Sequence, residues 1–157
     1  MILIESKSKW KKGNIIFKEE FCISKNENNI PVGNIKIPEN SILAGNIKVS
    51  VLRCNPIINR KKQKLCVGLL FLIEEKLKII QPSGRELPLE FIYRLKKNLP
   101  LKYQNEILSG DVKYINCRAV ILSVNNNLTL NPSDPGKTNG SIDENIDIYI
   151  KVKVLKE

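Results

Sequence analysis

The chain has 157 residues, of which 42% are hydrophobic and 27% charged, and its formal net charge is +10. These values are typical of one globular domain with its own apolar core, and they exclude an intrinsically disordered chain. The absence of histidine excludes Ser-His-Asp and Cys-His catalysis and almost every catalytic zinc site.

Residues 1–13 form a basic leader. Its apolar part, Met1 to Ile4, is too short for a secretory signal, and no apolar run approaches the ~20 residues that span a bilayer. We therefore expect synthesis in the cytoplasm without a signal peptide. Trp10 lies among cations that include Lys11 and Lys12. This group either contacts a polyanion, with the indole stacked on a base, or anchors the leader against the domain. We favour the second interpretation, in which Trp10 anchors the leader against the domain.

From residue 14 onward, apolar and polar residues alternate with a period of two, which predicts strands with one face in water. The segments are "NIIFKEEFCIS", "GNIKVSVLRC", "ELPLEFIYRLK" and "NIDIYIKVKVLKE". Two further runs, "KLCVGLLFLI" and "CRAVILSV", are apolar on both faces, so we expect them to be central strands. Pro88 predicts an edge strand, because proline cannot donate to a ladder of hydrogen bonds.

The segments between these strands are rich in Asn, Pro and Gly, as turns require. We place turns at 26–34, 55–63 and 125–127, and a polar insertion at 131–145. The best helix candidate, "LPLKYQNEIL", is short. The predicted fold class is therefore all-β, a single antiparallel β-sandwich or small barrel over residues 14–157.

A basic cluster, "RKKQK", lies between two predicted strands and contains Arg60, Lys61, Lys62 and Lys64. Its side chains either lie in solvent at the tip of a hairpin or bind a polyanion such as nucleic acid. The chain has 21 lysines but only 5 arginines, whereas proteins that read phosphates or bases favour the planar fork of arginine. We therefore favour the hairpin tip.

Four cysteines, Cys22, Cys54, Cys66 and Cys117, lie within or at the ends of predicted strands. No two of them form a CxxC pair, so a zinc ribbon is not expected. They are either buried free thiols or candidates for oxidative cross-linking between subunits.

The acidic residues offer little for catalysis. Glu74 and Glu75 are adjacent and so point to opposite faces of a strand. Asp143, Glu144 and Asp147 are close in sequence, but a divalent-ion site there is not favoured. P-loop, GxGxxG and GxSxG motifs are missing. We expect a protein that is not an enzyme and has no catalytic residue, metal or cofactor.

The order of segments resembles the β-rich domain of clostridial spore-coat and spore-morphogenesis proteins (the SPOCS-type domain, seen also in SipL-like proteins). The resemblance covers residues 34–154 and rests on "GNIKVSVLRC", "KLCVGLLFLIEE", "LPLEFIYRL", "CRAVILSV" and "IDIYIKVKVLK". Val67 to Phe71 matches the family's glycine-containing strand, and Leu87 to Phe91 its apolar-acidic segment ending in Phe. The resemblance implies a structural protein of a spore layer.

Three hypotheses follow for function. The first is an assembly protein of a spore coat or exosporium that acts through protein–protein contacts with itself or other layer proteins. The second is a nucleic-acid-binding barrel of the OB type, suggested by the charge of +10, Trp10 and the cluster at 60–64. The third is a β-sandwich component of a phage or virion.

Overall fold

Six antiparallel strands, each 15 to 18 residues long, make up the fold. The computed structural model describes residues 14–33, 35–59, 64–101, 115–133 and 139–156. Within these ranges the chain forms strands and no helix. The strands are β1 (Asn14–Pro31), β2 (Ile42–Asn59), β3 (Lys64–Ile80), β4 (Glu86–Pro100), β5 (Ile115–Asn131) and β6 (Ser141–Lys156).

The strands form two three-stranded sheets. The first has the order β1-β6-β5 and the second β2-β3-β4. Residues of both sheets pack together in the larger of two apolar clusters, so the sheets pack face to face. At one side of the sandwich β2 contacts β5, and at the other side lie β1 and β4. The prediction of an all-β antiparallel sandwich is confirmed.

The apolar core follows directly from the period-two pattern. Along β3 every second residue from Leu65 to Ile79 is buried, and β6 shows the same alternation from Ile142 to Val154. Each fully buried aliphatic or aromatic side chain contributes roughly 1.5–3 kcal/mol. These two central strands therefore supply most of the interior.

One predicted strand position is wrong. The run "CRAVILSV" lies in β5, which is an edge strand, and the central strand of that sheet is β6. The apolar residues on both faces of β5 reflect a β-bulge between Ile121 and Ser123, where Leu122 is 50% exposed. Strand β6 can be central and still alternate, because the outer face of an antiparallel sheet is open to water.

The strands extend through several predicted turns. Residues 125–127 belong to β5 and pair with β6, and residues 26–31 and 55–59 belong to β1 and β2. The polar insertion is shorter than predicted, since β5 ends at Asn131 and β6 begins at Ser141. Cross-strand pairing satisfies the backbone of these polar segments, which overrides their turn propensity.

Two further predictions concern β4 and its end. Pro88 lies on the edge strand β4, as predicted. Of the helix candidate at 99–108, residues 99 and 100 are in β4 and Leu101 is buried. The remainder lies outside the described residues.

Candidate functional site

A buried polar cluster connects the two sheets. It consists of Lys25 on β1, Glu144 on β6, Glu75 on β3 and Tyr93 on β4. The ammonium of Lys25 lies 3.0 Å from Glu144 Oε1 and 2.8 Å from the Tyr93 hydroxyl. That hydroxyl lies 3.0 Å from Glu144 Oε1 and 3.3 Å from Glu75 Oε1. We call these four residues the polar cluster.

Two members of the polar cluster, Glu75 and Glu144, occupy inward positions of β3 and β6, whose other inward positions are apolar. Glu75 lies between the buried residues Ile73 and Leu77, and Glu144 between Ile142 and Ile146. Each carboxylate thus lies between a residue of one apolar cluster and a residue of another. The polar cluster therefore divides the interior of the sandwich into two apolar parts.

The ionisation states are set by burial and by mutual hydrogen bonds. Burial and hydrogen bonding with Glu144 raise the pKa of Glu75 to about 8, so this carboxyl is protonated at neutral pH. Burial alone would raise the pKa of Glu144, but hydrogen bonds from Glu75, Lys25 and Tyr93 lower it below its usual value. The pKa of Tyr93 is raised, chiefly by burial.

Lys25 supplies the cation that balances the Glu144 carboxylate. Burial would lower the pKa of Lys25, but hydrogen bonds with Tyr93, Glu144 and Glu27 raise it. The side chain reaches the surface, where Glu27 lies 3.1 Å away and is half exposed. The four groups together are electrically neutral and hydrogen-bonded to one another. We infer that the polar cluster connects the two sheets through hydrogen bonds and an ion pair.

The polar cluster is not among the sites predicted above, although the sequence contains a signal for it. Glu75 and Glu144 each occupy a buried position in an alternating run, where an isoleucine, leucine or valine is expected. A carboxylate at such a position requires a partner, because burying an unpaired charge is costly. What the sequence does not show is which strands face each other, and therefore which residues meet.

The four cysteines lie in different environments. Cys22 is exposed on the outer face of the first sheet, and Cys66 is half-buried on the outer face of the second. Cys54 on β2 and Cys117 on β5 instead pack against the apolar core. Their Sγ atoms are 3.0 Å apart. The cysteines therefore form two groups. Cys22 and Cys66 point outward on opposite faces of the sandwich, and Cys54 and Cys117 point inward and contact each other.

The outer face of β2-β3-β4 carries a shallow basic groove of about 330 Å³. Arg53 and Lys96 flank Leu70 in register, and Asn55 and Asn98 flank Gly68 in the next row. All these residues line the groove. A Cβ at Gly68 would meet Ile57 Cδ1 at 2.8 Å, so the glycine keeps the groove floor open.

Only one of the predicted polyanion contacts lies in the described part of the chain. Lys64 is the first residue of β3, is exposed, and pairs with Asn59 at the end of β2. It thus stands at the base of the connection between two hairpin strands. The other predicted contacts, Trp10, Lys11, Lys12, Arg60, Lys61 and Lys62, lie outside the described residues. Arg53 and Lys96 are not among the predicted contacts, although both are polar positions of alternating strands.

The acidic residues at 143–147 do not form an ion site. Asp143 and Glu144 point to opposite faces of β6, as alternation requires. Asp143 accepts the backbone N–H of Asn29, which lowers its pKa, and Asp147 accepts the Ser24 hydroxyl. Among the residues that the structure describes, no group of three or more His, Cys, Asp or Glu side chains could hold a metal ion.

Comparison with known proteins gives no further guide. No family model, curated protein or solved structure matches the chain. Across the described ranges, no helix has the length and apolar character needed to cross a membrane.

Proposed function

We propose that the chain is an assembly protein that acts through protein–protein contacts, without catalysis, in a layered structure such as a spore coat or exosporium. The observation that carries the proposal is that four of the six described strands, β1, β5, β2 and β4, have only one neighbour in their sheets. Strands β2 and β5 lie against each other, which leaves the edges of β1 and β4 facing outward. Such edges present unpaired backbone groups to a neighbouring chain.

The two edges lie on the same side of the sandwich. The hydrogen bond from Lys25 on β1 to Tyr93 on β4 brings them together there. On β4, the eleven residues between Pro88 and Pro100 contain no further proline. In their midst Ile92 is 69% exposed. This stretch is therefore able to donate to and accept from an added strand.

Both edges carry exposed charges of both signs. Strand β4 exposes Glu86, Glu90, Arg94 and Lys96, and β1 exposes Lys18, Glu20 and Glu27. Because both edges lie on the same side of the sandwich, two chains related by a two-fold axis can pair β4 with β1 and β1 with β4 at once. Edge pairing of this kind closes a dimer, and growth beyond the dimer uses other surfaces.

The outward cysteines support the same interpretation. Cys22 and Cys66 lie on opposite outer faces, so disulfides formed through them would join stacked chains rather than close within one. The resemblance to spore-layer domains supplies the setting, an outer layer in which such cross-links persist. A virion shell would use the same surfaces.

The test is the substitution Ile92→Lys, with Ile42→Lys as the matched control. Both isoleucines are strongly exposed, at 69% and 61%, so neither change disturbs the core. A lysine on an edge strand hinders pairing at that edge, and Ile42 serves as the control because its strand, β2, lies against β5 of the same chain. We expect Ile92→Lys to raise the dissociation constant of the edge-paired dimer, measured by sedimentation velocity, at least tenfold and Ile42→Lys to leave it near the unmodified value. Equal sedimentation of all three proteins would contradict edge pairing through β4.

A second candidate function is binding of single-stranded nucleic acid, which the basic groove favours. The outward rows of β2-β3-β4 from Arg94 to Lys64 contain no acidic residue. The groove joins cations, which can contact phosphates, to an aliphatic floor that can cover bases, and its lining contains no aromatic side chain for base stacking.

Anisotropy of a labelled oligonucleotide across a salt series tests this candidate. Arg53→Ala and Lys96→Ala should each reduce the slope of log affinity against log salt by about 1. Arg85→Ala, in the turn between β3 and β4, is the control and should leave the slope unchanged. Equal slopes for all three variants, or no binding at physiological salt, would exclude the groove as a nucleic-acid site.

A further inference from the structure

Cys54 and Cys117 meet at the place where the two sheets contact each other edge to edge. Cys54 lies on β2 and Cys117 on β5, and these strands belong to different sheets. Among the described strands none is shared by both sheets, so β2 and β5 meet there through side-chain packing. We call this line of contact the seam. A covalent bond across it would connect the sheets directly.

The two sulfur atoms are already close to bonding distance. They are 3.0 Å apart, whereas a disulfide bond is about 2.05 Å long. The remaining shift of about 1 Å is within reach of small rotations about the two Cα–Cβ bonds. Both side chains pack against the same apolar cluster, which holds them facing each other.

We propose that Cys54 and Cys117 form an intramolecular disulfide that locks the seam when the protein enters an oxidising environment. The oxidant is a small-molecule disulfide such as oxidised glutathione. The Cys54 thiolate attacks it, forms a mixed disulfide and releases one thiol. The Cys117 sulfur then displaces the second thiol and closes the protein disulfide. In total, two protein thiols lose two electrons and two protons, and one small disulfide becomes two thiols.

The exposure of the two cysteines sets the order of these steps. Cys54 is half-buried and Cys117 is 8% exposed, so the small disulfide reaches Cys54 first. The hydrogen bond with Cys117 and burial raise the pKa of Cys54. Because the thiolate is the attacking species, the bond forms slowly at neutral pH and faster as the pH rises. The thiols are therefore expected to survive synthesis in a reducing cytoplasm.

This assignment changes the role expected for the cysteines. Two of the four predicted cross-linking residues would stabilise a single chain, and only Cys22 and Cys66 would remain for bonds between chains. The seam disulfide does not depend on the proposed assembly function, because a strictly monomeric protein could still form it.

Two complementary variants test the inference. In the first, Cys22→Ser and Cys66→Ser leave only the seam pair. In the second, Cys54→Ala and Cys117→Ala leave only the outward pair. Each full-length protein is equilibrated at pH 8.5 in mixtures of reduced and oxidised glutathione, and the intact mass, the number of alkylatable thiols and Tm are measured.

The first variant should lose about 2 Da and both alkylatable thiols while remaining a single chain. Its Tm should rise by roughly 10 °C, since the bond closes a loop between residues separated by 63 positions. The second variant should show no intramolecular loss of about 2 Da and no comparable rise in Tm, because its outward thiols can form only mixed disulfides with glutathione or bonds between chains. Thiols of the first variant that stay alkylatable at every ratio, or that stop at mixed disulfides with glutathione, would overturn the inference. An equal rise in Tm of the second variant on oxidation would also overturn it, because the stabilisation would then not come from the seam.

Discussion

Glu75 on β3 and Glu144 on β6 meet across the interior of the sandwich as a hydrogen-bonded pair of carboxyl groups in opposite ionisation states. Glu75 is 2% exposed and Glu144 is 3% exposed. One proton on Glu75 allows the pair to coexist without repulsion. Lys25 then balances the single remaining charge. The contact between the sheets thus depends on protonation as well as on apolar packing.

Stability should fall as the pH rises from about 5 to 8. The pKa of Glu75 is raised to about 8 in the folded protein, against an ordinary value of 4.5, so the folded state holds a proton that the unfolded state has lost. This contribution is present below the unfolded pKa and is lost towards the folded pKa. We expect a decrease of roughly 3 kcal/mol in the free energy of unfolding, measured by urea titration.

Glu75→Gln provides the matched test of that pH dependence. The amide keeps the shape and the donor of the protonated carboxyl but cannot ionise. The variant should have a nearly flat stability between pH 5 and 8, because the chain has no histidine to titrate there. It should also exceed the unmodified protein at pH 8. A slope as steep as that of the unmodified protein would contradict the assignment of Glu75.

Removing the cation of the polar cluster should destabilise the protein at neutral pH. Lys25→Met keeps the aliphatic stem but leaves the Glu144 carboxylate, whose side chain is 1% exposed, without its ion-pair partner. We expect a loss of roughly 3 kcal/mol in the free energy of unfolding. The measurement is chemical denaturation at pH 7.

A double substitution distinguishes charge from packing in that experiment. Adding Glu144→Gln to Lys25→Met should recover part of the lost stability, because no buried charge then remains unpaired. Lys78→Met is the control, since its ion pair with Glu86 is about half exposed and should contribute less than about 1 kcal/mol. Equal losses for Lys25→Met and Lys78→Met would show that the buried ion pair has no special role.

The strands were predictable from the sequence, but their partners were not. The alternation of apolar and polar residues along "NIDIYIKVKVLKE" identifies a strand with one solvent-exposed face. It does not show whether that strand lies at the edge of its sheet or in the centre, where β6 is found. Similarly, Glu75 and Glu144 each break an apolar pattern, but their contact depends on which sheet faces which. The contact of Cys54 with Cys117 depends on the same long-range arrangement, because the two residues are 63 positions apart in the sequence.

Gly45 should tolerate substitution much less well than Gly84. Its φ is +144°, and an added Cβ would collide with the backbone carbonyl of Lys76 and lie 2.7 Å from Leu77 Cα. Gly84, with φ +88°, has nothing within 4 Å of an added Cβ. Gly84→Ala should cost about 1 kcal/mol, from backbone strain alone. Gly45→Ala should cost at least about 2 kcal/mol more, because strand β2 must separate from β3.

Thermal denaturation of the two glycine variants checks this difference. A lower Tm for Gly84→Ala than for Gly45→Ala would show that the backbones of β2 and β3 are farther apart at Gly45 than the structure shows. The comparison is also useful for assembly experiments, because Gly45→Ala should weaken the second sheet without altering the β1 or β4 edge.

The measurement that most directly tests the proposed function is the solution mass of the purified protein, by light scattering after size exclusion, with and without reductant. Edge pairing predicts at least a dimer, favoured by higher protein concentration, in both conditions. Cross-linking through Cys22 and Cys66 predicts larger assemblies without reductant. A monomer of 17.9 kDa at every concentration, in both conditions, would contradict the assembly function.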